Sequence, residues 1–231
     1  MSSNNADHAA RAEALARSLP ESCCDATLSL HLVRLLASGH PVRLQTLAAS
    51  VGRTPEAVAA GLRQFSNIER DATGRIVAAC GLSLPLAAPT AYRFIVGGKL
   101  LFTWCALDAL MYPALLGASA VATSRCPVSG ATIRVRVAPT RVQQIDPAQA
   151  VVTLVFPDTD AACCDVRGVF CNAVRFFASY AAGEAARRDG LVPGDTTLLP
   201  VADVFRIGQL ALRRLYPDAL HAPAAQGPGP E

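Results

Sequence analysis

Lysine is almost missing from this chain. Lys99 stands alone, and arginine carries the rest of the positive charge. No run of basic residues reaches five, and the formal net charge is only +3. A nucleic-acid binder ordinarily shows a clustered stripe of Lys and Arg that neutralises phosphates, so the charge pattern speaks against that class. No cysteine pair is spaced CxxC and no Cys/His set has zinc-finger spacing, which leaves a structural zinc site without support. The opening segment, MSSNNADHAARAEALARSLP, has acidic residues and no apolar core, so it reads as neither a secretory signal nor a transit peptide. A clean membrane span is also lacking. Residues 100–122 are long enough, but Asp108 lies inside them, Pro113 and Gly117 interrupt them, and no basic cluster flanks them. A charge at that depth costs about 2.5–3.5 kcal/mol on insertion scales. These absences predict a cytoplasmic protein with neither membrane nor nucleic acid as partner. Its eight cysteines, Cys23, Cys24, Cys80, Cys105, Cys126, Cys163, Cys164 and Cys171, are then expected to be reduced thiols.

What is present suffices for a sizeable core: 231 residues, of which 52% are hydrophobic. The first 19 residues read as an alanine-rich helix stopped by Pro20. Leu28, Leu32, Leu35 and Leu36 recur at helical spacing between Asp25 and Ala37. A short helix follows at Arg43–Ser50. Thr54 then caps another, with Pro55 in its first turn, running to about Phe65. Asp71–Gly74 is a turn between strands at Asn67–Arg70 and Arg75–Cys80. Three helices, a tight turn and a hairpin make the order of a winged helix. The helix placed to read DNA, Pro55–Phe65, carries Arg63 against Glu56, too little positive charge for that task, so a packing or lid role is the better reading.

Pro85 and Pro89 bracket an expected linker. Beyond it the pattern predicts a hairpin, Ala91–Val96 and Lys99–Thr103, turning at Gly97-Gly98. A helix runs from Trp104 or Cys105 to about Leu116. Strands are expected at Val121–Ser124, Thr132–Val137, Val151–Phe156 and Ala173–Ser179, with a polar loop over Pro157–Arg167. Helices close the chain at Gly183–Asp189 and Val201–Leu215. The expected fold class is α+β: a winged-helix-like helical domain over 1–82, a domain of antiparallel sheets with surrounding helices over 83–220, and a disordered Pro/Gly-rich tail over 221–231.

Cys105 and Asp108 fall three residues apart, on one helical face, among Trp104, Leu107, Leu110 and Met111. A soft nucleophile and a proton carrier would then share a dry wall. Each residue also has an ordinary explanation: a cysteine in an apolar helix is usually a small core hydrophobe, and an aspartate near its start is usually a cap. Cys80 reads as core, and no role is assigned to the four histidines.

Trp104-Cys105-Ala106-Leu107-Asp108 with Pro113-Ala114-Leu115, Ser124-Arg125-Cys126 with Ser129-Gly130, and Phe170-Cys171 with Phe176-Phe177-Ala178-Ser179 stand in an order that resembles the organomercurial (alkylmercury) lyases. Gly39-x-Pro41-Val42 and the helices after it fit the same pattern, and the resemblance spans about residues 28–215. It implies cleavage of carbon–mercury bonds by protonolysis, giving a hydrocarbon and Hg(II). Cys105 and Cys171 would be the catalytic, mercury-binding thiolates, Asp108 the catalytic carboxylate and a further mercury ligand, Cys126 a structural cysteine, and Trp104 an auxiliary wall. No cofactor is implied, because mercury belongs to the substrate, and external thiols would assist product release. The implied partners are organomercurial small molecules and a mercuric reductase that receives Hg(II), with the protein a monomer or homodimer. The family often has a second cysteine after the one matching Cys171, where this chain has Asn172.

The chemistry fits the residue types on its own terms. Thiolate is the soft ligand for a soft metal, and a carboxyl within reach can take a thiol proton and return it to carbon. A helix N-terminus beside Cys105 would lower its pKa, and burial of Asp108 would raise that of the carboxyl. The paired cysteines Cys23-Cys24 and Cys163-Cys164 read as incidental thiols, with auxiliary mercury capture as the functional reading. The competing reading of the whole chain is a thiol-based, metal-sensing winged-helix regulator that binds DNA and uses Cys105, Cys126 and Cys171 as its metal site.

Overall fold

The computed structural model describes residues 2–18, 24–156 and 165–217. Cys23, Cys163, Cys164 and the tail expected over 221–231 lie outside the described residues.

The helical part consists of α1 (Ser2–Ser18), α2 (Ala26–Leu36), α3 (Leu44–Val51) and α4 (Pro55–Leu62). Asp25 caps α2 by accepting from Leu28 N at 3.0 Å, and Thr54 caps α4 by accepting from Ala57 N at 3.2 Å. Each cap satisfies an amide that the helix itself leaves open. Gly52, with φ +66°, turns α3 into α4. The apolar faces of these helices close on Leu28, Leu32, Leu36, Leu47 and Val58, all essentially buried.

The wing is β1 (Glu69–Arg70) and β2 (Ile76–Ala79) around the expected turn, where Asp71 Oδ1 accepts from Thr73 N, Thr73 Oγ1 and Arg75 N. These bonds and the Arg75 guanidinium hold the Asp71 carboxyl down at about 2 despite its desolvation. The wing does not end there. β2 pairs with β3 (Leu82–Ser83), and β3 pairs with β5 (Lys99–Thr103). The domain boundary expected at 82/83 therefore falls inside a strand of a continuous sheet. Its eight strands run β1-β2-β3-β5-β4-β6-β7-β8, every neighbour antiparallel, with β4 Tyr92–Val96, β6 Ala120–Arg125, β7 Thr132–Ala138 and β8 Arg141–Asp146. A second sheet, β10-β9-β11, joins Phe176–Phe177, Val151–Leu154 and Thr197–Pro200.

α5 (Ala106–Leu116) packs on the first sheet, α6 (Tyr180–Arg188) on the second, and α7 (Val201–Leu215) touches both. α5 is buried along nearly its whole length, which explains its apolar composition without a membrane. Among the described residues no helix is long and apolar enough to cross a bilayer. α7 lies so close to α5 that a Cβ at Gly208 would come within 2.8 Å of Met111 Cγ. α1 packs on α7 through Arg214–Glu13 at 2.6 Å and the buried His8 facing Asp203 at 3.6 Å.

Several expectations need correction. The strand expected over Ala173–Ser179 shrinks to Phe176–Phe177. Ala173 N and Val174 N donate instead to Phe170 O and Cys171 O, which makes a turn, and only the two phenylalanines pair with Val151 and Val152. Part of the expected 157–167 loop is the start of a five-residue π-helical turn, Arg167–Cys171. The helix expected to reach Phe65 stops at Leu62. β8, β3 and β11 had no expected counterpart.

Candidate active site

The site is built where β5 becomes α5. Trp104 N donates to Gly81 O at 2.9 Å, and Trp104 Nε1 donates to the buried Ser83 hydroxyl at 2.7 Å. The indole is thus pinned against the β2–β3 hairpin, and the chain turns into α5 with Cys105 as its N-cap residue. Asp108 is the third residue of the helix, and its Oδ2 accepts from Cys105 N at 3.0 Å. The Asp108 amide in turn points back at the Cys105 sulfur, completing a capping box with a thiol in the place usually taken by a hydroxyl. Asp108 therefore serves as a cap, its ordinary role, and stands beside the thiol at the same time.

Cys171 arrives from a distant part of the chain, at the end of the Arg167–Cys171 turn. Ala106 N, in the first turn of α5, donates to Val174 O at 3.1 Å. Thr153 Oγ1 of β9 donates to Ala173 O at 2.6 Å and accepts from Arg175 N at 2.9 Å. These bonds fix the turn after Cys171 against both α5 and the second sheet. The wing base holds the other side of the π-helical turn. Asn67 Oδ1 accepts from Arg167 N at 3.3 Å, Asn67 Nδ2 donates to Asp165 Oδ1 at 3.1 Å, and Arg167 pairs with Glu69. The Arg167 guanidinium also lies 4.7 Å from the Trp104 ring centroid, a cation–π contact. The winged-helix part thus braces the segment that delivers Cys171.

The result is convergence. One sulfur from Cys105, one from Cys171 and a carboxylate oxygen of Asp108 all lie within 4.8 Å of one another. Both cysteines are buried and Asp108 is half-buried. Two thiols and a carboxyl at that separation can hold a single soft cation. Contrary to the sequence expectation, the Cys105 thiol is pushed well above its ordinary pKa. Burial is the main cause, followed by its hydrogen bond with Cys171 and by the Asp108 charge. The Asp108 amide at the helix start acts in the lowering direction but does not prevail. Burial thus favours the protonated form of the Cys105 thiol.

A cavity of about 40 Å³ adjoins the triad, lined in part by Asp108, Cys171 and Trp104. Cys24, Cys80, Gly81 and Tyr112 also line it; the sequence reading weighed auxiliary mercury capture for Cys24 and gave the other three no site role. Cys80 is not core. It is half-buried at the two-residue turn Cys80-Gly81 between β2 and β3, both residues at positive φ (+51° and +83°). That is the pattern of a tight hairpin turn whose first position usually takes Asn or Asp, so cysteine concealed it. Gly81 is obligatory on space as well, because a Cβ there would sit 2.7 Å from Asp108 Cγ. Tyr112, one turn beyond Asp108, donates its hydroxyl to Cys80 O. Its i+4 spacing was the available signal. Cys126 lies outside this group. It is buried in the turn after β6, where its amide donates to Ala131 O at 2.8 Å and its carbonyl accepts from Gly130 N at 2.9 Å. Burial works against its ionisation, yet the Ser129 hydroxyl and nearby backbone amides bring its thiol below the ordinary value.

Residues 86–212 match the family model described as alkylmercury lyase, and residues 8–80 match that of the helix-turn-helix domain of alkylmercury lyase. The chain belongs to the alkylmercury lyase family. It is 41% identical over 178 residues to an alkylmercury lyase of Streptomyces lividans, covering 77% of this chain and 78% of that one. To an alkylmercury lyase of Pseudomonas putida it is 40% identical over 194 residues, covering 84% and 87%. A crystal structure described as the mercury-bound form of MerB2 shares the fold, with a TM-score of 0.69 at 24% identity, over 90% of this chain and 98% of that one. Family membership and the Cys–Asp–Cys cluster favour an enzyme over a DNA-binding metal sensor.

Proposed function

We propose that the protein cleaves the carbon–mercury bond of organomercurial compounds by protonolysis, releasing a hydrocarbon and leaving Hg(II). The observation that supports this most directly is the meeting of Cys105, Cys171 and Asp108 within 4.8 Å. R–Hg⁺ binds one thiolate, and the proton displaced from that thiol passes to Asp108. The second cysteine then coordinates mercury as its thiolate, its proton leaving with the anionic ligand that R–Hg⁺ gives up on entering, and this pushes electron density toward carbon. The proton held on the carboxyl is delivered to carbon as the Hg–C bond breaks. The raised pKa of Cys105 fits this order. Its proton is retained inside the site until mercury, a far better thiolate ligand than a proton, replaces it. Trp104 and the buried α5 wall keep water from competing as proton source.

Cys126 holds the turn after β6 and takes no part in the chemistry. The protein acts in the cytoplasm without a resident cofactor. External thiols remove Hg(II), which then passes to a mercuric reductase. The test is incubation with phenylmercury and excess thiol, with benzene measured by gas chromatography. Steady release by the wild type, lost in Cys105→Ser and Cys171→Ser, is expected. Wild-type rates in either variant would overturn the two-thiolate reading.

A further inference from the structure

Cys171 and Trp104 face a second depression as well as the triad cavity. It measures about 290 Å³ and is lined by three arginines, Arg125, Arg167 and Arg175. Among the described residues no carboxylate lines it. Arg167 shares its charge with Glu69 and stacks on Trp104, so it belongs to the scaffold. Among the described residues Arg125 and Arg175 are tethered through carbonyls rather than acids: Arg125 Nη1 donates to Gly130 O at 3.2 Å, and Arg175 Nε donates to Asn172 O at 2.5 Å. Each tether orients a guanidinium without neutralising it. A guanidinium so held presents further N–H donors in the geometry that suits a carboxylate. In a chain with one lysine and a net charge of only +3, gathering three arginines beside one catalytic thiol is a local concentration of charge.

We propose that this groove is the docking site of the thiol that removes mercury, and that it selects thiols bearing carboxylates. The inference rests on the lyase reading, because it concerns how Hg(II) leaves Cys171. The step is ligand exchange without redox change. An incoming thiolate forms an S–Hg bond, the Cys171–mercury bond breaks, and Cys171 takes up the proton that the incoming thiol shed. A second thiol displaces Cys105 in the same way, so that two RSH yield Hg(SR)₂ and two protein thiols. The arginines hold the carboxylates of the incoming molecule and favour its thiolate form beside a buried site. They act on the encounter more than on the exchange itself, so their effect is expected in the bimolecular rate and in its salt dependence.

The experiment uses the full chain loaded with one equivalent of Hg(II), which separates it from carbon–mercury cleavage. Mercury left on the protein is measured by atomic absorption after rapid gel filtration, with mercaptosuccinate, 2-mercaptoethanol or cysteamine as acceptor. Rates are compared per thiolate, because the three thiols differ in acidity. The anionic thiol is expected to strip mercury about tenfold faster than the neutral one, with the cationic one slowest, and the spread is expected to shrink as salt rises. In Arg125→Gln/Arg175→Gln the anionic advantage should fall to about twofold or less. Equal per-thiolate rates in the wild type overturn the proposal, as does an advantage that survives the double substitution. The wild-type charge series and its salt dependence stand even if that variant fails to fold. The groove can fail here while benzene release from phenylmercury stands, and the lyase reading can fail in the benzene assay while the charge preference stands.

Discussion

Asp108 is asked to do two things, and one substitution separates them. As the third residue of α5 it accepts from Cys105 N at 3.0 Å. Its carboxyl also has an oxygen within 4.8 Å of both sulfurs, where the proposed mechanism has it carry the proton. Asp108→Asn keeps an oxygen that can accept the amide but removes the exchangeable acid. Its expected cost in folding stability is therefore small, under about 1 kcal/mol. The chemical step should fall by about 10²- to 10⁴-fold, the usual worth of a positioned acid–base group. That fall is about 2.7–5.4 kcal/mol in the barrier. Asp108→Ala removes both functions, so it should show the same kinetic loss and a further destabilisation of about 1 kcal/mol, seen as a midpoint lower by about 2–4 °C. Benzene release in a rapid-quench single turnover and a thermal melt on the same three proteins decide the matter. Asp108→Asn cleaving within threefold of the wild type would refute the proton-carrier role, and equal melting losses in both variants would refute the assignment of the cap.

Three other outcomes follow from the same geometry. Gly81→Ala must place a side chain at φ +83° and against Asp108, so a loss of about 2–4 kcal/mol is expected in chemical denaturation; a stability within about 0.5 kcal/mol of wild type would contradict the close packing of the hairpin on the site. Asn67→Gly accepts the local φ of +61° but removes the bonds to Arg167 and Asp165. It should slow cleavage at least about fivefold with a stability loss of about 1–2 kcal/mol, and unchanged turnover would show that the wing does not brace the Cys171 turn. Because the folded pKa of Cys105 is raised, the folded chain keeps a proton that the unfolded chain releases above its ordinary value of 9.0. The associated stability is present below that pH and is lost as pH rises toward the folded value, so the alkaline limb of a pH–stability curve should flatten in Cys105→Ala.

Much of the helical part was legible because its signals are local. Thr54-Pro55, Asp25 and the leucine spacing of α2 each fix a terminus or a face. α7 was readable over its full Val201–Leu215 extent for the same reason. The candidate triad was legible only in part. Cys105 and Asp108 announce themselves by i, i+3 spacing, but nothing local brings Cys171 to them. That pairing depends on Ala106 N meeting Val174 O and on Thr153 tying down the turn, contacts between residues far apart in the chain. Phe176, Phe177 and Val174 carry β-formers' side chains, so a strand was expected across the turn, and tertiary hydrogen bonding outweighed propensity there. The pKa of Cys105 was misjudged because the N-terminal position on α5 shows in sequence while its complete burial does not.

The central claim is that two protein thiols and one carboxyl suffice to break the carbon–mercury bond. Its most direct test is benzene yield per chain in a single turnover of phenylmercury with no external thiol. The account predicts one benzene per wild-type chain, with mercury retained on the protein, and none from Cys105→Ser or Cys171→Ser. A wild-type yield far below one per chain, or a full yield from either serine variant, would contradict it.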